Sequence, residues 1–216
     1  MTLQLALIGQ DGIILASDRQ LNRTLNNVSY GSLTSKIRLN HPRGMAACWS
    51  GYDVADELAK QVLNLDDEKL KIPNLAMEEL AQNVFGEARR TTDAPHGEII
   101  LVMTRDLNKV HLVTVRGNSY ICHQITNWAV SGHDANSALF FIQAFYQKLP
   151  IKELIPLAAH TIFRAGQLNP AGVSGLEIFR CTEEGFDLLK EEEIANLKEW
   201  SKKLDSKIKR LLFRFS

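Results

Sequence analysis

The second residue of the chain is a threonine, Thr2. A threonine hydroxyl alone is a poor nucleophile, but at a mature N-terminus the residue carries its own base, because the α-amine can take the Oγ proton directly or through a water. The α-amino pKa is about 7.7–8.0, which leaves a useful fraction of free amine near neutral pH. Methionine aminopeptidase removes Met1 when the next residue is as small as threonine, so Thr2 is expected to become that terminus. Asp18-Arg19 closes one hydrophobic run, and Ser35-Lys36-Ile37 opens another. A Lys36 ammonium beside Thr2 would lower the amine's pKa by like-charge repulsion and favour an Oγ alkoxide. A buried lysine needs a carboxylate, and Asp18 is the candidate. Other catalytic signatures are missing: there is no G-x-S-x-G, no G-x-x-x-x-G-K-[ST] and no H-E-x-x-H. The six histidines, at 41, 96, 111, 123, 133 and 160, have no ligand spacing, although His111 and His123 could meet across neighbouring strands.

These residues act together only if the elements between them bring them together. Leu3, Leu5 and Leu7 alternate with Gln4 and Ala6, Gln10-Asp11-Gly12 turns, and residues 13–16 return, which predicts a hairpin with Asp18 across from Thr2. Residues 19–34 are polar and read as a loop or irregular strand. Residues 36–39 and 45–49 flank His41-Pro42-Arg43-Gly44, a second hairpin. Asp53 caps a helix with Val54, Leu58, Val62 and Leu63 on one face, and Pro73 opens another that ends near Arg89-Arg90. Strands follow over 97–116, then helices over 133–149 and 151–166 separated by Pro150, then paired strands over 175–179 and 186–189. The strand groups are too apolar to leave both faces wet, so helices must cover them; two face-to-face sheets with helix pairs outside satisfy every segment. From 191 to 213, Ile194, Leu197, Trp200, Leu204, Ile208 and Leu211 recur at steps of three and four, which is an amphipathic helix. It packs on its own domain or docks on a neighbouring subunit.

Composition excludes some classes. The 216 residues carry 25 basic and 25 acidic side chains, so no basic excess exists to grip nucleic acid or an anionic membrane. No apolar run approaches the roughly 20 residues of a membrane span, and the start lacks the pattern of a secretory signal. Three widely spaced cysteines, Cys48, Cys122 and Cys181, fit a reducing cytoplasm rather than a disulfide framework.

Thr2, the run Asp11-Gly12-Ile13-Ile14-Leu15-Ala16-Ser17-Asp18-Arg19, Ser35-Lys36-Ile37, Ala129-Val130-Ser131-Gly132 and Ser174-Gly175 together resemble the proteasome β-type subunits, N-terminal nucleophile hydrolases, in their bacterial form. The likeness covers about residues 2–190. It implies an α+β fold, a four-layer αββα sandwich of two antiparallel sheets flanked by helix pairs, as domain 1–190, with 191–216 a helical tail. It implies Thr2 as nucleophile and amine base, Lys36 as pKa modulator, Asp18 as its partner, and Ser131 positioning the amine or a bridging water. Arg19 and Ser174 would support the loops, and the main-chain N–H of Gly51, or alternatively of Trp49, would serve the oxyanion. Leu21 and Ala47 would fall near the specificity pocket. Ala171 stands where many members have an aspartate three residues before the second Ser-Gly. The implied activity is a threonine endopeptidase that needs no metal or organic cofactor. It would act on peptides or unfolded proteins within a ring of like subunits, with an unfoldase ATPase as a further partner, in the cytoplasm and without nucleic acid or membrane. A non-catalytic structural subunit, and an amidase or transpeptidase using the same nucleophile, are the alternatives.

Overall fold

A strand that is apolar on both faces has to be covered twice, and that requirement organises this chain. The computed structural model describes residues 2–25, 28–51, 53–88, 96–105, 109–116, 118–132 and 135–213, with only the backbone described within 22–30. The first half runs β1 (Gln4–Ile8), β2 (Ile13–Ser17), β3 (Gln20–Leu25), β4 (Val28–Leu33), β5 (Ile37–Asn40), β6 (Met45–Gly51), α1 (Asp53–Val62) and α2 (Pro73–Ala88). Then come β7 (Gly97–Met103), β8 (Lys109–Arg116), β9 (Ser119–Ile125), β10 (Trp128–Ser131), α3 (Ala135–Phe145) and α4 (Ile151–Leu168). The chain closes with β11 (Glu177–Thr182), β12 (Gly185–Leu188) and α5 (Glu191–Leu212).

The result is a mixed α+β fold with antiparallel sheets and, among the described residues, five α-helices. One five-stranded sheet has the order β10-β1-β2-β11-β12, the other β5-β6-β7-β8-β9, and β3-β4 form a separate pair. Every residue of β1 and β2 is buried. Leu3, Leu5, Leu7, Ile14 and Ala16 pack with residues of α3 and α4. Ala6, Ile8, Ile13 and Leu15 pack instead with Ala46, Cys48, Ile100 and Val102 of the other sheet. That sheet's remaining face, with Ala47, Trp49, Ile99 and Leu101, packs with α1 and α2.

Several expectations change or narrow. Of the two readings of residues 19–34, loop or irregular strand, the strand is the one found: β3 and β4 pair in register from Gln20↔Leu33 to Leu25↔Val28. Their polar composition was misleading because the pair belongs to neither large sheet, so no face of it must be apolar. β9 had no clear signal because most of it is exposed at a sheet edge. His111 and His123 do not meet: Leu112 stands opposite His123 and His111 opposite Gln124, so the two rings fall on opposite faces. α3 stops at Phe145, well short of Pro150. The helix end expected near Arg89-Arg90 and the helix start expected at residue 133 lie outside the described residues.

α5 runs alongside α4 in the same direction, with His160 Nδ1 2.8 Å from Ser201 Oγ and Arg164 bridging Asp205 at 3.2 Å. Ile194 and Leu197 reach the core beneath, while Trp200, Leu211 and Phe213 stay largely exposed.

His111 is fully buried, its Nδ1 2.9 Å from Asn74 Oδ1 and its Nε2 without a partner among the described residues. Burial pushes its pKa down to about 4. An unfolded histidine protonates near pH 6.5, so the folded chain lags in proton uptake between about pH 6.5 and pH 4, and stability present above that window is lost on acidification. Urea unfolding at stepped pH should show wild type losing up to about 3 kcal/mol more than His111→Gln across that range. Parallel losses in the two proteins would contradict the assignment.

Candidate active site

Thr2 stands at the head of β1, Asp18 directly after β2 and Lys36 directly before β5, so one hairpin and one inter-sheet crossing bring them together. The Asp18 carboxylate accepts from Leu3 N at 2.7 Å and Gln20 N at 2.8 Å, while Asp18 N donates to Leu3 O at 3.0 Å. Lys36 Nζ donates to Asp18 Oδ1 at 3.1 Å and Oδ2 at 2.9 Å, and to Thr2 Oγ1 at 2.9 Å. The Lys36 and Asp18 side chains are 0% exposed, and Thr2 is 7% exposed. Burial pushes the Lys36 ammonium below the usual lysine range, with Asp18 opposing. Burial likewise pushes the Asp18 carboxyl up, while Lys36 and the two amide donors pull it down. Such a pair holds its charges only because every lone pair and proton has a partner.

The surrounding main chain fixes this cluster. Lys36 O accepts from Trp49 N at 3.2 Å, so of the two oxyanion donors considered the Trp49 amide is already engaged, while Gly51 ends β6 opposite Gly97. Gly51 has φ +102, and a Cβ there would lie 2.6 Å from His96 O. Arg19 N donates to Ser174 O and Thr34 N to Arg19 O, both at 2.8 Å, so the links holding Arg19 and Ser174 are main-chain ones. Gly175, at φ +70, folds this segment against the Arg19 side chain. Ser131 ends β10 opposite Gln4, and its Oγ accepts from Gln4 Nε2. Ala47 is fully buried against the helices, whereas Leu21 lines an open cleft of about 260 Å³ with Ser35, Trp49 and Asp53.

Three residues had been passed over. Gly132, at φ +105, sits so close to Thr2 that a Cβ would be 2.2 Å from the Thr2 carbonyl oxygen. Glu98 accepts from Gly132 N at 2.7 Å and from Arg116 at 3.1 Å, which holds that approach. Gln4, which alternates with Leu3 and Leu5, is buried; a single polar residue in a strand with two dry faces was the available signal. Cys48 lies near Lys36, but burial pushes its thiol up to about 12, far from nucleophilic use. Among the described residues, no group of three or more His, Cys, Asp or Glu could hold a metal, and no helix is long and apolar enough to cross a membrane.

No protein-family model and no curated protein matches the sequence. Solved structures do match. A Gly-1 mutant of Anbu from Hyphomicrobium sp. strain MC1 has TM-score 0.70 at 15% identity, over 97% of this chain and 97% of that one. Anbu from Yersinia bercovieri, described as an ancestral beta-subunit, has TM-score 0.73 at 14% identity, over 96% of this chain and 97% of that one. At this identity the likeness shows the fold alone. It also corrects the expected kinship: the matching structures are Anbu, a bacterial proteasome-like group distinct from the proteasome β-type subunits. The motifs that suggested the latter serve to build a buried Thr-Lys-Asp cluster on a hairpin, and cannot separate groups that share the fold.

Asp18→Ala would strand the Lys36 ammonium in the interior and should cost about 3–5 kcal/mol in chemical denaturation, against roughly 1 kcal/mol for Thr2→Ala. The double change Asp18→Leu with Lys36→Met should recover most of that loss. Equal costs for the two single variants would mean that the pair is not buried as described.

Proposed function

We propose that the chain is a threonine-type peptidase, an N-terminal nucleophile hydrolase working as a proteasome-like subunit. The observation that carries this reading is Lys36 Nζ 2.9 Å from Thr2 Oγ1, with Asp18 holding the lysine from the other side. Removal of Met1 turns the Thr2 nitrogen from an amide into an amine able to accept a proton. The amine takes the Oγ proton, Oγ attacks the peptide carbonyl carbon, and the Lys36 ammonium stabilises the developing negative charge on Oγ. A main-chain N–H at Gly51 serves the carbonyl oxygen as it becomes an oxyanion. The tetrahedral adduct collapses to a Thr2 ester as the leaving amine takes the proton, and water then attacks the ester to release the acid and restore Thr2. Ser131 positions the amine, and Arg19 and Ser174 steady the loop after Asp18.

The open cleft beside Ser35 and Trp49 supports an extended peptide or unfolded chain as substrate. The fold shared with a protein described as an ancestral beta-subunit supports an assembly of like subunits, enclosing a nucleophile that would be hazardous in a cytoplasm. Folded substrates would require an unfoldase ATPase. The three apolar clusters, one between the sheets and one under each pair among α1–α4, support the αββα sandwich for residues 1–190 with 191–216 as a helical appendage.

Intact mass after treatment with an epoxyketone or β-lactone tests the nucleophile. Wild type should lose Met1 and gain a single adduct, Thr2→Ala should gain none, and Lys36→Ala should react at least about 100-fold more slowly. A protein that keeps Met1 in its own cell and takes no adduct would leave a structural subunit.

A further inference from the structure

Gln4 follows Thr2 by two residues, and the period of a strand places both side chains on one face of β1. Ser131 stands directly opposite Gln4 in register and points the same way, so Thr2 and Ser131 are diagonal neighbours on that face. Beyond them the face continues into the inter-sheet core as Ala6 and Ile8. Gln4 is 0% exposed, and its Nε2 faces three acceptors: Ser50 Oγ and Glu98 O, each at 3.2 Å, and Ser131 Oγ, which is the nearest. A carbonyl only accepts, so the group facing Glu98 O must be the amide nitrogen. That orientation leaves Gln4 Oε1 buried with no partner among the described residues. An unpaired buried acceptor is unfavourable, so stability does not account for a glutamine here.

We propose that Gln4 is a positioning residue for the nucleophile: its Nε2–H fixes the Ser131 hydroxyl so that the Ser131 O–H is presented to the Thr2 α-amine. This rests on the reading of Thr2 as an N-terminal nucleophile. The bond from Gln4 occupies one lone pair of Ser131 Oγ and rules out the rotamer in which the hydroxyl proton points at Gln4. A hydroxyl proton offered to the amine lone pair lowers the amine's pKa and so raises the free-base fraction at neutral pH; that bond breaks, the Ser131 O–H turning aside, before the same lone pair takes the Thr2 Oγ proton. Gln4 thereby acts through Ser131, without touching substrate.

The test uses full-length protein made with a removable leader, so that Thr2 is terminal whatever the host does. Competitive trace acetylation against pH, read by peptide mass, gives the Thr2 amine pKa without relying on hydrolase activity. Near-isosteric Gln4→Met should raise that pKa by about half a unit or more, and slow β-lactone acylation at neutral pH about threefold or more. Gln4→Asn, which keeps an amide but falls one methylene short, should do the same and covers the case in which Gln4→Met fails to fold. In a Ser131→Ala background neither change should shift the amine further. An unchanged pKa, or an equal shift with and without the Ser131 hydroxyl, would overturn the assignment. Should the amine respond as expected while wild type takes no lactone, the Gln4 assignment stands and the peptidase reading falls.

Discussion

The ion pair between Lys36 and Asp18 is the constraint around which the rest of this molecule is arranged. Two charges removed from water are tolerable only where hydrogen bonds replace the lost hydration in full. Asp18 achieves this with the amides of Leu3 and Gln20 and the Lys36 ammonium. Each partner imposes a local structure. The Leu3 bond fixes the start of β1 against the end of β2, the Gln20 bond turns the chain into β3, and the Lys36 bonds bring the second sheet to the first. The remaining ammonium proton is directed at Thr2. The electrostatics of the site and the pairing of the first two strands are therefore one feature.

What was legible in the sequence follows from what leaves a pattern. Hairpins with Gly turns and helices with caps show themselves locally, so β1, β2, β5, β6, α1 and α2 were readable, as were Thr2, Asp18 and Lys36 as residues of the right chemistry at strand ends. β3 and β4 were not, because strands outside a sandwiched sheet carry no obligatory apolar face. Gln4 and Glu98 were obscured for the opposite reason. Both are polar residues whose partners, Ser131 and Gly132, lie far along the chain, and single-residue alternation reads them as surface. The motif residues spoke to the chemistry and not to the group, since the structures that match the fold do so at only 14–15% identity.

The glycines around Thr2 show how tightly the backbone is drawn. Gly132 lies against the Thr2 carbonyl and Gly51 against the start of β7, each with a positive φ that other residues adopt only with strain. Neither glycine supplies a side chain. They remove volume so that main-chain segments can pass at close range, Gly132 against the Thr2 carbonyl and Gly51 against His96 and Gly97. Backbone packing of this kind fixes the frame on which the side chains of the site are then set.

The order of strands in the first sheet has a consequence in time. β1 lies between β2 and β10, yet β10 is made roughly 120 residues after it. At about 5–20 residues per second, synthesis leaves one edge of β1 open for some 6–25 s. On the proposed reading, that interval is open to an aminopeptidase acting on the emerging chain. The late arrival of β10 sets a biosynthetic clock: the strand that follows Thr2 stays half-paired for those seconds, and is completed by a strand whose codons have not yet been read.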